Sequence, residues 1–172
     1  MSAYAFRAAT RGDAAAIVAI TMEGFDGYRA FAPAGWEPPS AAQELERLIE
    51  LLGRDDIWYR VAEDAGEVVG HVGFLPAAAL AWAPVDDPGL VHFRQLFVRP
   101  GHWGSGLATT LHGAALDEAR ARGFTSMRLF TPAGQTRARR FYERERWALE
   151  QPAFFEERIG LEIVEYRRSL LE

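Results

Sequence analysis

Hydrophobic positions along this chain follow two periods, and the switches between them mark its elements. Residues 4–7 alternate like a short first strand, and Thr10-Arg11-Gly12-Asp13 supplies a cap before a helix carrying Ile17, Val18 and Ile20. Over residues 22–39 the periodicity is lost. There Phe25, Tyr28, Phe31 and Trp36 are interleaved with Glu23, Asp26 and Glu37, and Pro33, Pro38 and Pro39 stiffen the chain, so a long loop is expected. Ser40 caps a second helix holding Leu45, Leu48, Ile49 and Leu52, closed by Gly53. Residues 57–63 and 67–74 read as strands of a hairpin joined by Asp64-Ala65-Gly66. An Ala- and Pro-rich connection, residues 76–89, leads to a strand over residues 90–98 whose two apolar faces make it central. Residues 126–130 alternate like a strand. Residues 131–147 place Ala138, Phe141, Tyr142 and Glu145 on one side of a short helix, residues 151–160 read as a loop, and residues 161–168 as a final strand.

Between two of these strands lies the segment QLFVRPGHWGSGLATTLHGAALDEARAR, residues 95–122. It reads as strand, glycine turn and helix. Gly101, Gly104 and Gly106 fall where the turn must be tight, and Leu107, Leu111, Ala114, Ala115 and Ala119 form the buried stripe of a helix that Gly123 ends. A helix between strands implies a right-handed parallel crossover. The turn also exposes backbone N–H groups at the positive end of a helix, which attracts phosphate, and the small residues at 104, 105, 106 and 108 let a pyrophosphate approach. The bland alternative is a turn and nothing more.

Two familiar phosphate loops do not fit. A dinucleotide fingerprint would need Gly or Ala where Thr109 stands and an acid at the end of the next strand, and residues 126–131 end without one. The P-loop needs a lysine, and the chain has none. All 19 basic residues are Arg, which removes Schiff-base chemistry; the absence of cysteine removes thiol catalysis, disulfides and cysteine zinc sites. The net charge of −5 argues against nucleic acid as the main partner. The N-terminus lacks the apolar core of a signal peptide and no stretch is long enough to span a bilayer, so a cytoplasmic protein without a membrane partner is expected. A length of 172 residues suits one domain, residues 1–172.

The glycine turn resembles the acyl-CoA loop of the GNAT acyltransferase superfamily, whose pattern is Gln or Arg, two residues, Gly, one residue, then Gly or Ala. Trp103-Gly104-Ser105-Gly106-Leu107-Ala108 occupies it: Gly106 and Ala108 match, and Trp103 replaces Gln or Arg. A second segment is similar to the family's Asn, two residues, Ala, two residues, apolar, Tyr, then Gly-Phe. Gln135, Ala138, Phe141, Tyr142, Arg146 and Trp147 take these places, with Ala and Tyr matching.

The resemblance implies an α+β GNAT fold: a twisted, mostly antiparallel sheet of six to seven strands with a splayed parallel pair and helices on both faces. It implies acetyl-CoA as co-substrate without a metal, and N-acetyl transfer to a primary amine on a small molecule or peptide by direct attack. A non-catalytic acyl-CoA sensor is the rival reading, and a homodimer stays open. Acyl-CoA would lie along Leu96, Phe97 and Val98, whose backbone the splay leaves unpaired. Trp103, Gly104, Ser105, Gly106, Leu107, Ala108 and Thr109 would cradle its pyrophosphate, with Gln135 and Arg139 on the facing helix. Tyr142 matches the family's general acid. For the base, His92 on the central strand has a suitable ordinary pKa, with His71 and Glu23 as alternatives; His102 and His112 read as loop and helix-surface residues. Glu23, Phe25, Tyr28 and Trp36 suit an amine with an apolar body, the alternative being a satellite core.

Overall fold

The computed structural model describes residues 3–171. Its strands are β1 (Ala5–Ala8), β2 (Trp58–Asp64), β3 (Glu67–Pro76), β4 (Leu90–Val98), β5 (Ser126–Pro132), β6 (Ala148–Leu149), β7 (Phe154–Glu156) and β8 (Leu161–Ser169), and its helices are α1 (Ala14–Asp26), α2 (Ala41–Leu52), α3 (Leu107–Ala121) and α4 (Thr136–Arg144). They build one sheet in the order β1-β2-β3-β4-β5-β8-β6, with β7 also on β8. Among the described residues β4 and β5 are the one parallel pair. The expected mixed architecture is therefore present, with β4 central and eight strands, two of them short, where six to seven were anticipated.

Both faces of the sheet are covered because each helix has one apolar stripe to bury. Leu107, Leu111, Ala115 and Ala119 of α3, with Tyr142 of α4, pack on Val72, Phe74, Val91, Phe93, Met127 and Leu129. On the other face Ile17 and Val18 of α1 and Leu48 of α2 meet Tyr59, Val61 and Leu75. Ser40 caps α2 as expected, its Oγ accepting the Gln43 N–H at 3.1 Å, whereas Ile49 faces solvent. Asp13 accepts the Thr10 N–H and hydrogen bonds from both terminal guanidinium nitrogens of Arg7, which fixes the entry to α1.

The loop expected over residues 22–39 is partly helix. α1 runs on to Asp26 and a 3-10 turn follows over Gly27–Ala30. Aromatic contacts within the segment override the loss of period: Phe25, Tyr28, Phe31 and Trp36 pack together with Phe97 and Leu161 as the satellite core that was the alternative reading. Residues 151–160 likewise contain β7, which gains its ladder only from β8.

Two features of β4 shape everything near it. Gly73 faces Gln95 and Phe74 faces Phe93, so Arg94 is the extra residue of a β-bulge. Before it Val91 and Phe93 point to the α3 face; after it Leu96 and Val98 do, while Phe97 turns to Phe25 on α1. The second feature is a splay. β4 pairs with β5 only from Leu90 to His92, opposite Ser126 to Arg128. Beyond that, β4 stays tied to β3 as far as Val98 and β5 to β8 as far as Pro132, and the two strands part.

Candidate active site

The parted strands open into a cleft of about 1270 Å³. At one end it is walled by Gly104, Gly106, Leu107, Ala108 and Thr109, in the middle by Gln95, Leu96, Phe97, Val98 and Tyr142, and at the far end by Arg47, Trp82 and Arg158.

At the loop end the local conformation is the one the glycines permit. Gly104 and Gly106 have φ of 78° and 84°, a left-handed region costly for other residues, and Gly106 precedes the first residue of α3. The Ser105 hydroxyl donates to the His102 carbonyl at 2.7 Å and accepts the Leu107 N–H at 3.3 Å. That leaves Ala108 and Thr109 as first-turn positions whose amides have no partner within the helix, and both line the cleft. Trp103 also lines it, 53% exposed, with its indole N–H donating to the Val98 carbonyl at 2.8 Å. One of the backbone groups expected to be free in the splay is thus occupied by this side chain.

Facing the loop, α4 presents Arg137, Arg140 and Arg144 to the cleft, together with Gln135 at its start. Arg139 is a correction. Its guanidinium donates to the Ala133 carbonyl and the Tyr166 hydroxyl, each at 3.0 Å, so it braces α4 on β8 instead of lining the cleft. The three cleft arginines share the spacing of one helical face, a signal present in the sequence that singling out Arg139 overlooked.

Tyr142 is 8% exposed. Its ring packs edge-on against Phe93, Phe141 and Trp147 at centroid distances of 6.2, 5.4 and 5.8 Å. Its hydroxyl has no hydrogen-bond partner among the described residues, so the ring anchors α4 to the sheet and the hydroxyl does not. Burial, with a smaller contribution from Tyr28, pushes the phenol well above its ordinary pKa.

The four histidines divide sharply. His92 lines the cleft at the last paired rung, its ring 5.3 Å from Phe130 and its Nδ1 without a partner among the described residues. Burial, then Arg128 and Arg94, hold its pKa well below the ordinary value, so it is neutral at pH 7. His71 is sealed in the core. The Thr21 hydroxyl 3.1 Å from its Nε2 already donates to the Ile17 carbonyl, so the imidazole is the donor, and burial takes its pKa to about 3; it does not line the cleft. His112, expected on a helix surface, is 1% exposed and accepts the Trp147 indole N–H at 2.9 Å, because the stripe of α3 extends to it. His102, in the loop, lies 2.9 Å from the Tyr4 hydroxyl.

Of the residues expected to hold the acceptor, Glu23, Phe25 and Tyr28 line the cleft. Trp36 does not; its indole N–H donates to the Ile159 carbonyl at 2.7 Å and its ring supports Tyr28. Residues that the sequence reading passed over complete the far end: Glu44, Arg47, Trp82, Arg94 and Arg158. For two of them the sequence carried a signal: an arginine at 94 inside a mostly apolar strand, and an acid at 44, one turn before Leu48 on the apolar stripe of α2. Among the described residues no three His, Asp or Glu side chains come together as a metal ion would require, and no helix is long and apolar enough to cross a membrane.

The fold has many solved counterparts. An N-acetyltransferase from Staphylococcus aureus Mu50 superposes with a TM-score of 0.75 at 19% identity, over 98% of this chain and 99% of that one. The PaiA N-acetyltransferase from Thermoplasma acidophilum, in complex with coenzyme A, gives 0.73 at 14% identity over 95% and 98%. The yncA protein from Salmonella typhimurium, with acetyl-CoA, gives 0.74 at 21% over 99% and 96%. At these identities the likeness shows the fold. No curated protein matches the sequence. The model of the acetyltransferase (GNAT) family matches residues 22–146. That match runs from the end of α1 through the glycine loop and α4, and with it this chain belongs to the GNAT acetyltransferase family.

Proposed function

We propose that the protein, as a single N-acetyltransferase domain, moves an acetyl group from acetyl-CoA to a primary amine by direct attack. The observation that carries this reading is the splay of β4 from β5 beside a phenol without a partner. Apart from the Val98 carbonyl that Trp103 holds, backbone groups on the β5 side of Leu96 to Val98 need hydrogen-bond partners, and the amides of a pantetheine arm can supply them as an added strand. The amides at the start of α3, with Arg137, Arg140 and Arg144 opposite, suit the pyrophosphate and its charge. A backbone N–H near Phe97 or Val98 would polarise the thioester carbonyl.

Tyr142 is assigned to the leaving sulfur. Its raised pKa keeps it protonated, and the same burial that raises a phenol raises a thiol, so the hydroxyl can donate to the sulfur as negative charge develops there. His92 is assigned the proton that the amine loses after attack. Being neutral it can accept, and being a weak base it suits the acidic N–H of the tetrahedral adduct better than a free ammonium. Glu23, on the opposite wall, is the alternative base.

The test is a pair of measurements. Acetyl-CoA at about 100 times its Kd should stabilise the protein by about 2.7 kcal/mol in a melting curve, and NAD should not. Acetyl-CoA mixed with protein and amines should release free thiol. Equal shifts from both ligands refute the loop assignment; a shift without thiol release identifies a binding module instead of an enzyme.

A further inference from the structure

We infer that the acceptor amine carries an anionic group, of carboxylate or phosphonate type, and that Arg158 binds it at the end of the cleft away from the glycine loop. This rests on the transfer reading above and names the class of its acceptor.

Three guanidinium groups from three parts of the chain meet there: Arg47 from α2, Arg94 from the bulge of β4, and Arg158 from the turn between β7 and β8. Two have partners. Glu44, 5% exposed, accepts from Arg47 at 2.9 Å and lies 3.6 Å from Arg94, which also donates to the Tyr59 hydroxyl at 2.6 Å. Arg158 differs. Among the described residues no carboxylate lies within salt-bridge distance of its guanidinium, which sits 5.3 Å from the centroid of the Trp82 ring. Of the two acids just before it in the chain, Glu157 does not line the cleft, and Glu156 is turned to the backbone, where its Oε1 accepts the Arg158 N–H at 3.0 Å. The remaining acids of the cleft, Glu23 and Asp26, lie on α1 beside Arg99 and Arg29.

This end of the cleft therefore sets three cations against two carboxylates, and one cation faces an aromatic wall. An ammonium with only an apolar body would leave that exposed cation to water. An amine with a carboxylate matches it, because a guanidinium forks onto a carboxylate or phosphonate with two parallel hydrogen bonds. Trp82, Leu80 and Phe130 add an apolar surface next to it, which favours an amino acid with an apolar side chain.

Apolar amino acids, each paired with its decarboxylated amine and its aminophosphonate, are to be offered with acetyl-CoA while free thiol is followed; phenylalanine and phenethylamine are one such pair. The oxyanion-bearing member should be favoured in kcat/KM by about 10- to 100-fold. Arg158→Gln should remove most of that preference by raising KM for the acid with kcat kept, and Arg158→Lys should restore part of it. With CoA present, phenylalanine should raise the Tm of the wild type more than that of Arg158→Gln. Thiol release that is as fast with the plain amines as with the acids overturns the inference and leaves acetyl transfer standing. Release with no acceptor, together with no Tm shift from acetyl-CoA, overturns the transfer reading and this inference with it. Equal loss with amine and acid in Arg158→Gln makes Arg158 structural and also overturns the inference.

Discussion

The Arg137 guanidinium lies 3.6 Å from the centroid of the Trp103 ring, so α4 and the turn after β4 touch across the mouth of the cleft. Trp103 stands where the resembled loop has Gln or Arg. It contributes a ring that seats an arginine, and its indole N–H is held by the Val98 carbonyl. A cation on an aromatic face is worth about 0.5–2 kcal/mol. Trp103→Ala should therefore weaken acetyl-CoA binding by about 2- to 30-fold as Arg137 loses its seat, with little change in Tm because the ring is largely exposed. Titration calorimetry checks this. Tighter binding in the variant would show that the stack closes the site instead of furnishing it.

Gly106 offers a second test, since a Cβ there would meet no atom within 4 Å but would sit at a φ of 84°. Gly106→Ala carries the conformational strain alone, about 1–2 kcal/mol. Gly106→Glu adds a carboxylate beside the amides of Ala108 and Thr109, where it competes with phosphate. Acetyl-CoA affinity should fall much further in the second variant than in the first while both stay folded by circular dichroism. Equal affinities in the two would make the loop only a turn.

Tyr142→Phe isolates the hydroxyl, because the ring does the packing and the hydroxyl has no protein partner among the described residues. Its unfolding free energy should stay within about 1 kcal/mol of wild type. If the phenol serves the leaving sulfur, kcat should fall by about 10² to 10⁴ with acetyl-CoA affinity nearly unchanged. Full kcat in the variant would end the assignment.

His112 makes stability depend on pH. Burial first, then Arg168 and Arg120, take its pKa from 6.5 to about 4. The unfolded chain binds the proton more readily, so His112 favours the folded state fully above pH 6.5, and that contribution is lost as the pH falls toward 4. The loss approaches roughly 3 kcal/mol. His71, at about 3, acts in the same direction over the same fall in pH. Urea midpoints between pH 7 and 4 measure the slope, and His112→Gln should flatten it. A slope unchanged in the variant would place the pH dependence elsewhere.

What the sequence determined by itself was whatever depends on neighbouring residues. The glycine turn, the strand before it, the stripe of α3 and the Ser40 cap follow from backbone sterics and side-chain period within a few positions, and the structure has each of them, except that Ala114 of the stripe is only half-buried. The match of two short motifs in order carried the family and the fold. The tertiary structure decided which face of each element meets what, because burial is set by partners distant in the chain. Arg139 turns to Tyr166 and leaves the cleft to Arg137, Arg140 and Arg144. Trp36 is drawn to Ile159, and His112 is buried by Trp147 from beyond α4. The bulge at Arg94 reverses which residues of β4 face α3, a slip of one residue that only the pairing with β3 can show. The far end of the cleft gathers Arg47, Arg94 and Arg158 from positions spread over more than 100 residues. No local period records such a meeting, since it exists only once the sheet has closed the distance.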